Sequence, residues 1–166
     1  MSEVSPVPEG MHTVTPYLVV KDSVAAMDFY AKAFGAVQLM RMVGPDGQGT
    51  MHAEIKIGNS CIMLTDENPA WGMSAPETIG GSPVSLMLYV EDADTFLQTA
   101  VAAGCEAVFP VSEMFWGDKM GKVSDPFGYS WSIATHIEDV PEEEMAVRQQ
   151  KWMEEMAAAA QGGEQG

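Results

Sequence analysis

The chain states one structural plan twice, about 70 residues apart. Leu18-Val19-Val20-Lys21-Asp22 opens a stretch that runs to Phe34-Gly35-Ala36, and Leu88-Tyr89-Val90-Glu91-Asp92 opens another that runs to Ala103-Gly104-Cys105. Each copy is an apolar strand ending at an acid, an amphipathic helix, a glycine stop and further strands. A lone β-α-β-β-β unit cannot bury its sheet face, so two copies must pair. The expected fold is α+β: two tandem β-α-β-β-β modules with a cleft between curved mixed sheets, plus a C-terminal helix. The modules, with the connector in the first, fall at residues 12–82 and 83–140. A disordered lead-in (1–11) precedes them, and a helix (141–160) and a disordered tail (161–166) follow.

Local patterning fills in the first module. Strand one spans Val14 to Val20, with Pro16 marking it as an edge. Ser23 is placed to cap a helix whose Val24, Met27, Tyr30 and Phe34 recur at helical spacing, and Gly35 stops it. Val37 to Val43 is a strand, and Gly44-Pro45-Asp46-Gly47 is a turn. Thr50 to Ile57 alternates, with Met51, Ala53, Ile55 and Ile57 on one face and His52, Glu54 and Lys56 on the other. Cys61 to Thr65 is the last strand, and a Pro- and Gly-rich connector spans Glu67 to Ser82. The second module repeats the order: strand Val84 to Val90, helix Ala93 to Ala103, then strands Glu106 to Val111, Gly121 to Ser124 and Tyr129 to Thr135.

Composition narrows the function. The net charge of −16 repels phosphate backbones, which argues against nucleic acid and anionic membrane surfaces. Cys61 and Cys105 are the only cysteines and have no scaffold spacing, so two reduced, buried thiols are expected. There is no basic, apolar leader and no run long enough to span a bilayer, so the chain reads as cytoplasmic. The 14 methionines suit both core gaps and tolerant binding surfaces. No GxSxG, P-loop or dinucleotide fingerprint is present.

Several short motifs carry a family resemblance. Asp28-Phe29-Tyr30 with Phe34-Gly35-Ala36, and Asp125-Pro126-Phe127-Gly128-Tyr129, resemble the vicinal oxygen chelate superfamily, the glyoxalase, bleomycin-resistance and extradiol-dioxygenase group. His52-Ala53-Glu54, Gly81-Ser82-Pro83-Val84, Phe115-Trp116-Gly117-Asp118 and Ala134-Thr135-His136-Ile137-Glu138-Asp139 are similar to its PhnB-like branch. The resemblance covers about residues 12 to 140. It implies a divalent metal held by inward His, Glu or Gln residues on the first and last strand of each module. Carried over one at a time, those positions fall on Thr15, on Met63 (or on Ile62 if the internal repeat sets the register), on Ser85 and on Ser132. Neutral hydroxyls, a thioether or an alkyl group do not hold a hard or borderline dication. The expectation is no metal and no cofactor.

Strand alternation from Thr15 and Ser85 puts Tyr17 and Val19, then Met87 and Tyr89, on one inward face, with Met63 beside them. The Phe115-Trp116 loop lies at the family's cleft mouth, and Asp118 beside it suits a cationic planar ligand. Tyr17, Met63, Met87, Tyr89, Phe115, Trp116 and Asp118 are thus the candidate ligand-binding residues. The leading expectation is a metal-independent binder of an aromatic or apolar small molecule, similar in role to the bleomycin-resistance branch. One alternative is a lyase, isomerase or dioxygenase-type enzyme with an off-pattern catalytic pair, His52 and Glu54. Another is a structural or partner-binding protein. His136, beside Glu138 and Asp139, reads as a loop hydrogen bond, and His12 as a surface residue. The resemblance also implies a homodimer. The last helix supports it with a stripe of Met145, Gln149, Trp152, Met153 and Met156 that must dock on its own sheet or on a partner.

Overall fold

The computed structural model describes residues 4–45 and 47–162, with side chains through residue 159. Its elements are β1 (Tyr17–Val20), α1 (Ser23–Phe34), β2 (Val37–Val43), β3 (Thr50–Ile57), β4 (Ser60–Asp66), α2 (Pro76–Ile79), β5 (Ser85–Tyr89), α3 (Ala93–Ala103), β6 (Glu106–Glu113), β7 (Asp118–Ser124), β8 (Ser130–His136) and α4 (Glu142–Gly162). Two four-stranded mixed sheets result, in orders β1-β4-β3-β2 and β5-β8-β7-β6. In each, the first strand runs parallel to the last and the remaining pairs are antiparallel. The repeat in the sequence is therefore a repeat in topology.

One core joins the modules. Leu18, Val20, Ala53, Ile55, Ile62 and Leu64 of sheet 1 are buried beneath α1, and Trp131 and Ile133 are buried in sheet 2. Helices α1 and α3 pack together across the junction. Phe34 stacks on Phe96 with centroids 6.1 Å apart and lies 4.6 Å from Trp131, so an aromatic cluster bridges both modules. Asp125 sits under it. Its carboxylate accepts from Tyr30 Oη (2.7 Å), Trp131 Nε1 (2.8 Å) and the backbone N–H groups of Phe127 and Tyr129. Tyr129 Oη in turn brackets the Val19 backbone, accepting from its N–H and donating to its carbonyl. The sheets leave a cleft of about 360 Å3 between them, walled by Pro16, Cys61 and Ile62 on one side and Leu86, Met87 and Trp131 on the other.

Several local expectations are corrected. Strand β1 begins at Tyr17 rather than Val14, so Pro16 lies just before the edge strand. The cap of α1 is Asp22, whose carboxylate accepts from Ala25 N; Ser23 is the first helical residue and is buried. Val24 stays exposed while Met27, Tyr30 and Phe34 go inward. Met51 leaves the face of Ala53, Ile55 and Ile57, because the β2–β3 register shifts between Met42 and Val43. Asp46 of the turn lies outside the described residues. Strand β6 extends to Glu113 and β7 starts at Asp118, which makes the Phe115-Trp116 loop a tight hairpin. Cys61 and Cys105 are both free and buried, as expected. Burial, reinforced by Asp125, pushes the Cys105 thiol up to about 12, so it has little thiolate to offer. Residues 161 and 162 of the expected tail belong to α4.

Candidate functional site

Strand register sorts the four family metal positions. Tyr17 lies opposite Met63 in module one, and Met87 lies opposite Ser132 in module two. The two pairs are equivalent, so the position in β4 is Met63; Ile62 points into the core. Thr15 Oγ1 donates to the His12 carbonyl (2.9 Å), and Ser85 Oγ to the Ser130 carbonyl (3.3 Å). Two committed neutral hydroxyls, one thioether and one further serine supply no negative charge. That donor set does not fit a divalent cation. Among the described residues no three His, Cys, Asp or Glu side chains gather as a metal-binding group.

The candidate ligand residues occupy three places. Tyr17 and Met63 lie on the sheet-1 face that points away from α1, in one row with Glu54 of β3 and Met40 of β2. His52 shares this face: its Nδ1 is 3.1 Å from Tyr17 Oη and its Nε2 3.2 Å from Glu54 Oε1. Tyr17 also helps to wall a cavity of about 440 Å3 together with Met51, Trp71 and Met73. Trp71 and Met73, in the connector, were not singled out from the sequence. Their only signal was a tryptophan between Pro69 and Pro76, in a segment that looked like a spacer. Met87 borders the inter-sheet cleft.

Tyr89, Trp116 and Asp118 converge on sheet 2. Asp118 is 3% exposed. Its Oδ2 accepts from Tyr89 Oη and Trp116 Nε1, both at 3.0 Å, and its Oδ1 is 2.8 Å from His136 Nδ1. His136 Nε2 reaches Asp139 Oδ1 at 3.0 Å. Asp118 is therefore not an open acid facing a cationic ligand; its charge is used to hold the Phe115-Trp116 hairpin to the end of β8. Burial pushes its pKa up, but the hydrogen bonds from His136, Tyr89 and Trp116 outweigh burial and hold it below the usual carboxylate value. The His136 imidazole is raised, chiefly by its bond to Asp118 and then by Asp139. The hydrogen bond read for His136 is present and organises the hairpin. His12 is exposed. Phe115 contacts Trp152 of α4, with centroids 5.5 Å apart, beside a cavity of about 340 Å3.

Comparison with known proteins agrees with this architecture. The family described as Glyoxalase/Bleomycin resistance protein/Dioxygenase superfamily matches residues 10–133. An uncharacterized protein of Mycobacterium bovis is 42% identical over 135 residues, covering 80% of this chain and 88% of its own. The solved structure of an Arabidopsis thaliana gene product is 29% identical, covers 75% of this chain and 98% of its own, and superposes with a TM-score of 0.59. TioX from Micromonospora sp. ML1 has a TM-score of 0.60 at 23% identity, over 76% of this chain and 99% of its own. That last likeness is one of fold.

Proposed function

The chain belongs to the Glyoxalase/Bleomycin resistance protein/Dioxygenase superfamily, and on that premise we propose that it holds a small aromatic or apolar molecule without a metal ion. The observation that carries this reading is the donor set itself: Thr15, Met63, Ser85 and Ser132 supply two bonded hydroxyls, a thioether and a serine, with no anionic ligand among them. Tyr17 and Met63 on sheet 1, Met87 at the inter-sheet cleft, and Tyr89, Phe115 and Trp116 on sheet 2 are three separate candidate contact surfaces, and Asp118 positions the hairpin. Placement in the PhnB-like branch rests on the His52-Ala53-Glu54 and Phe115-Trp116-Gly117-Asp118 motifs. The PhnB protein of Bacillus cereus shares the fold at 17% identity, with a TM-score of 0.57 over 75% of this chain and 99% of its own. The protein acts in the cytoplasm as a homodimer on this reading. Its two buried thiols are compatible with a reducing compartment, and no helix among the described residues is long and apolar enough to cross a membrane.

Two measurements test the reading. Elemental analysis of protein purified without chelator should find no stoichiometric Ni, Zn, Mn or Mg, and none of these ions should raise the unfolding temperature. A tight one-to-one metal with His52 among its ligands overturns the proposal and favours an enzyme. Planar aromatic compounds should quench tryptophan fluorescence saturably; no saturable quench across such a panel counts against a binder.

A further inference from the structure

The row Tyr17–His52–Glu54 on sheet 1 is a directional chain of hydrogen bonds. A carboxylate only accepts, so with His52 neutral its proton belongs on Nε2, donated to Glu54 Oε1 at 3.2 Å. Nδ1 is then the bare nitrogen and accepts from Tyr17 Oη at 3.1 Å. The two rings meet edge to face, 5.6 Å apart and perpendicular, which fixes the imidazole plane. Tyr17 is 45% exposed, so its hydroxyl oxygen keeps a lone pair on the open side of the sheet. The same tyrosine helps to wall the cavity of about 440 Å3, where Trp71, 70% exposed, presents a ring at the border.

The charges around the cavity are already assigned. Asp66 accepts from the backbone N–H groups of Ser23 and Thr50, and Glu67 from Ala75 N and Thr78 Oγ1. Arg41 lies against the same wall, donating to Thr50 Oγ1 and to the Gly49 carbonyl. Lys56 follows Glu54 on the same strand face. Two capped carboxylates, Asp66 and Glu67, thus border the cavity, while Arg41, in register with the buried Ala53, is on the other sheet face from the relay, whose inner end is Glu54.

We propose that this is a proton-accepting site for a small planar molecule with a weakly acidic hydroxyl, a phenol or an enol. It names the ligand class for the small-molecule reading above and rests on that reading. The ligand O–H donates to Tyr17 Oη while its ring lies against Trp71. The ligand's O–H bond breaks and its proton passes to Tyr17. The proton that Tyr17 held moves to His52 Nδ1, forming an N–H bond. Tyr17 ends as the phenol it began as, His52 becomes an imidazolium held by Glu54, and the ligand becomes its anion. No electron is gained or lost. Glu54 is a positioning residue, because it reaches the ligand only through His52.

The test uses 4-nitrophenol, whose anion alone absorbs strongly in the visible, and the full-length protein at a pH equal to the free probe's pKa. The anion-to-phenol ratio of bound probe should rise about tenfold, the size expected when an opposite charge forms within a few ångströms. Tryptophan quenching should saturate in parallel. His52→Gln should keep the quench and lose the colour shift, and Tyr17→Phe should lose the shift likewise. Glu54→Gln should reduce it several-fold without changing the quench. Trp71→Phe should remove most of the quench and keep the shift, placing the probe at this cavity. Near-ultraviolet circular dichroism checks that each variant folds. Saturable quenching with no colour change overturns the relay and leaves the binder reading standing. So does a shift that survives His52→Gln, or binding of non-hydroxylated aromatics but not of this probe. Binding of neither class overturns both.

Discussion

Gly117 shapes the aromatic hairpin by what it lacks. Its φ is +94°, and a Cβ there would sit 2.0 Å from the Glu138 carbonyl oxygen. Its own carbonyl accepts from the N–H groups of Ile137 and Glu138, so hairpin and post-β8 segment are laced backbone to backbone. Gly117→Ala should therefore cost at least about 1–2 kcal/mol from the left-handed backbone alone, with more from the clash. The checks are a lower denaturant midpoint and altered Trp116 emission. The same hairpin should respond to pH through His136. Its folded pKa is raised, so its contribution is complete below the unfolded value of about 6.5 and fades as pH rises through the folded value. Asp118 acts in the opposite range: its lowered pKa gives stability above the unfolded value of about 3.9 that is lost on acidification through the folded value. The gap in unfolding temperature between wild type and His136→Gln should thus be wide near pH 5.5 and narrow above about pH 8. An equal gap at both ends would show that His136 contributes only packing.

The elements show how the repeat was legible and where it misled. Asp22 and Asp92 end matching strands, and each caps its helix, accepting from Ala25 N and Thr95 N. The next residue differs: Ser23 in one copy, Ala93 in the other, both buried. Ser23 N donates to Asp66 and Ala93 N to Thr135, so the backbone is satisfied in both. The Ser23 hydroxyl, however, is buried and has no hydrogen-bond partner among the described residues. A buried hydroxyl without a partner costs about 1–3 kcal/mol, and the second module already uses alanine there. Ser23→Ala should raise stability by up to about that amount in chemical denaturation; a loss of stability would mean the hydroxyl is satisfied. The sequence showed the strands, the helices and the repeat because burial alternates with period 2 or 3.6. Asp28-Phe29-Tyr30 and Asp125-Pro126-Phe127-Gly128-Tyr129 were legible for a related reason. Tyr30 donates to Asp125, so both motifs hold the module junction together. Such motifs announce a fold rather than a chemistry. The cap was misplaced because Asp22 and Ser23 are both good caps and only backbone geometry separates them. Trp71 and Met73 went unread because the connector has no periodicity; the chain's path alone brings them to Tyr17. The joining of Asp118 to Tyr89 and His136 depends on strand pairing, which local sequence does not encode.

At the scale of the molecule, the helix stripe and the outer sheet faces ask for the same partner. Helix α4 is tethered at two points. Arg148 grips Glu138 through both terminal nitrogens (2.7 and 2.6 Å), and Trp152 meets Phe115. Beyond them Met153 and Met156 are 57% and 54% exposed, so the stripe is only partly covered within the chain. Met40 and Met42 of sheet 1 are exposed as well. Each large side chain left wet forgoes roughly 1.5–3 kcal/mol available from full burial, and contiguous exposed apolar surface marks interaction sites. Opposing this, each copy carries a net charge of −16. Repulsion between such copies is screened over about 8–10 Å at ordinary ionic strength and over about 30 Å at 0.01 M. Apolar attraction is not weakened in the same way by salt. The expected result is a homodimer at micromolar concentration that loosens as salt is lowered, read by light scattering across a salt series. Paired Met153→Glu and Met156→Glu substitutions should shift it toward monomer while leaving the Arg148–Glu138 tether intact. Truncation after Asp139 should lower stability as well, because it frees Glu138 and uncovers Phe115. A monomer at every salt concentration would refute the dimer. A dimer untouched by both changes would place the interface on the sheets alone and leave α4 out of it.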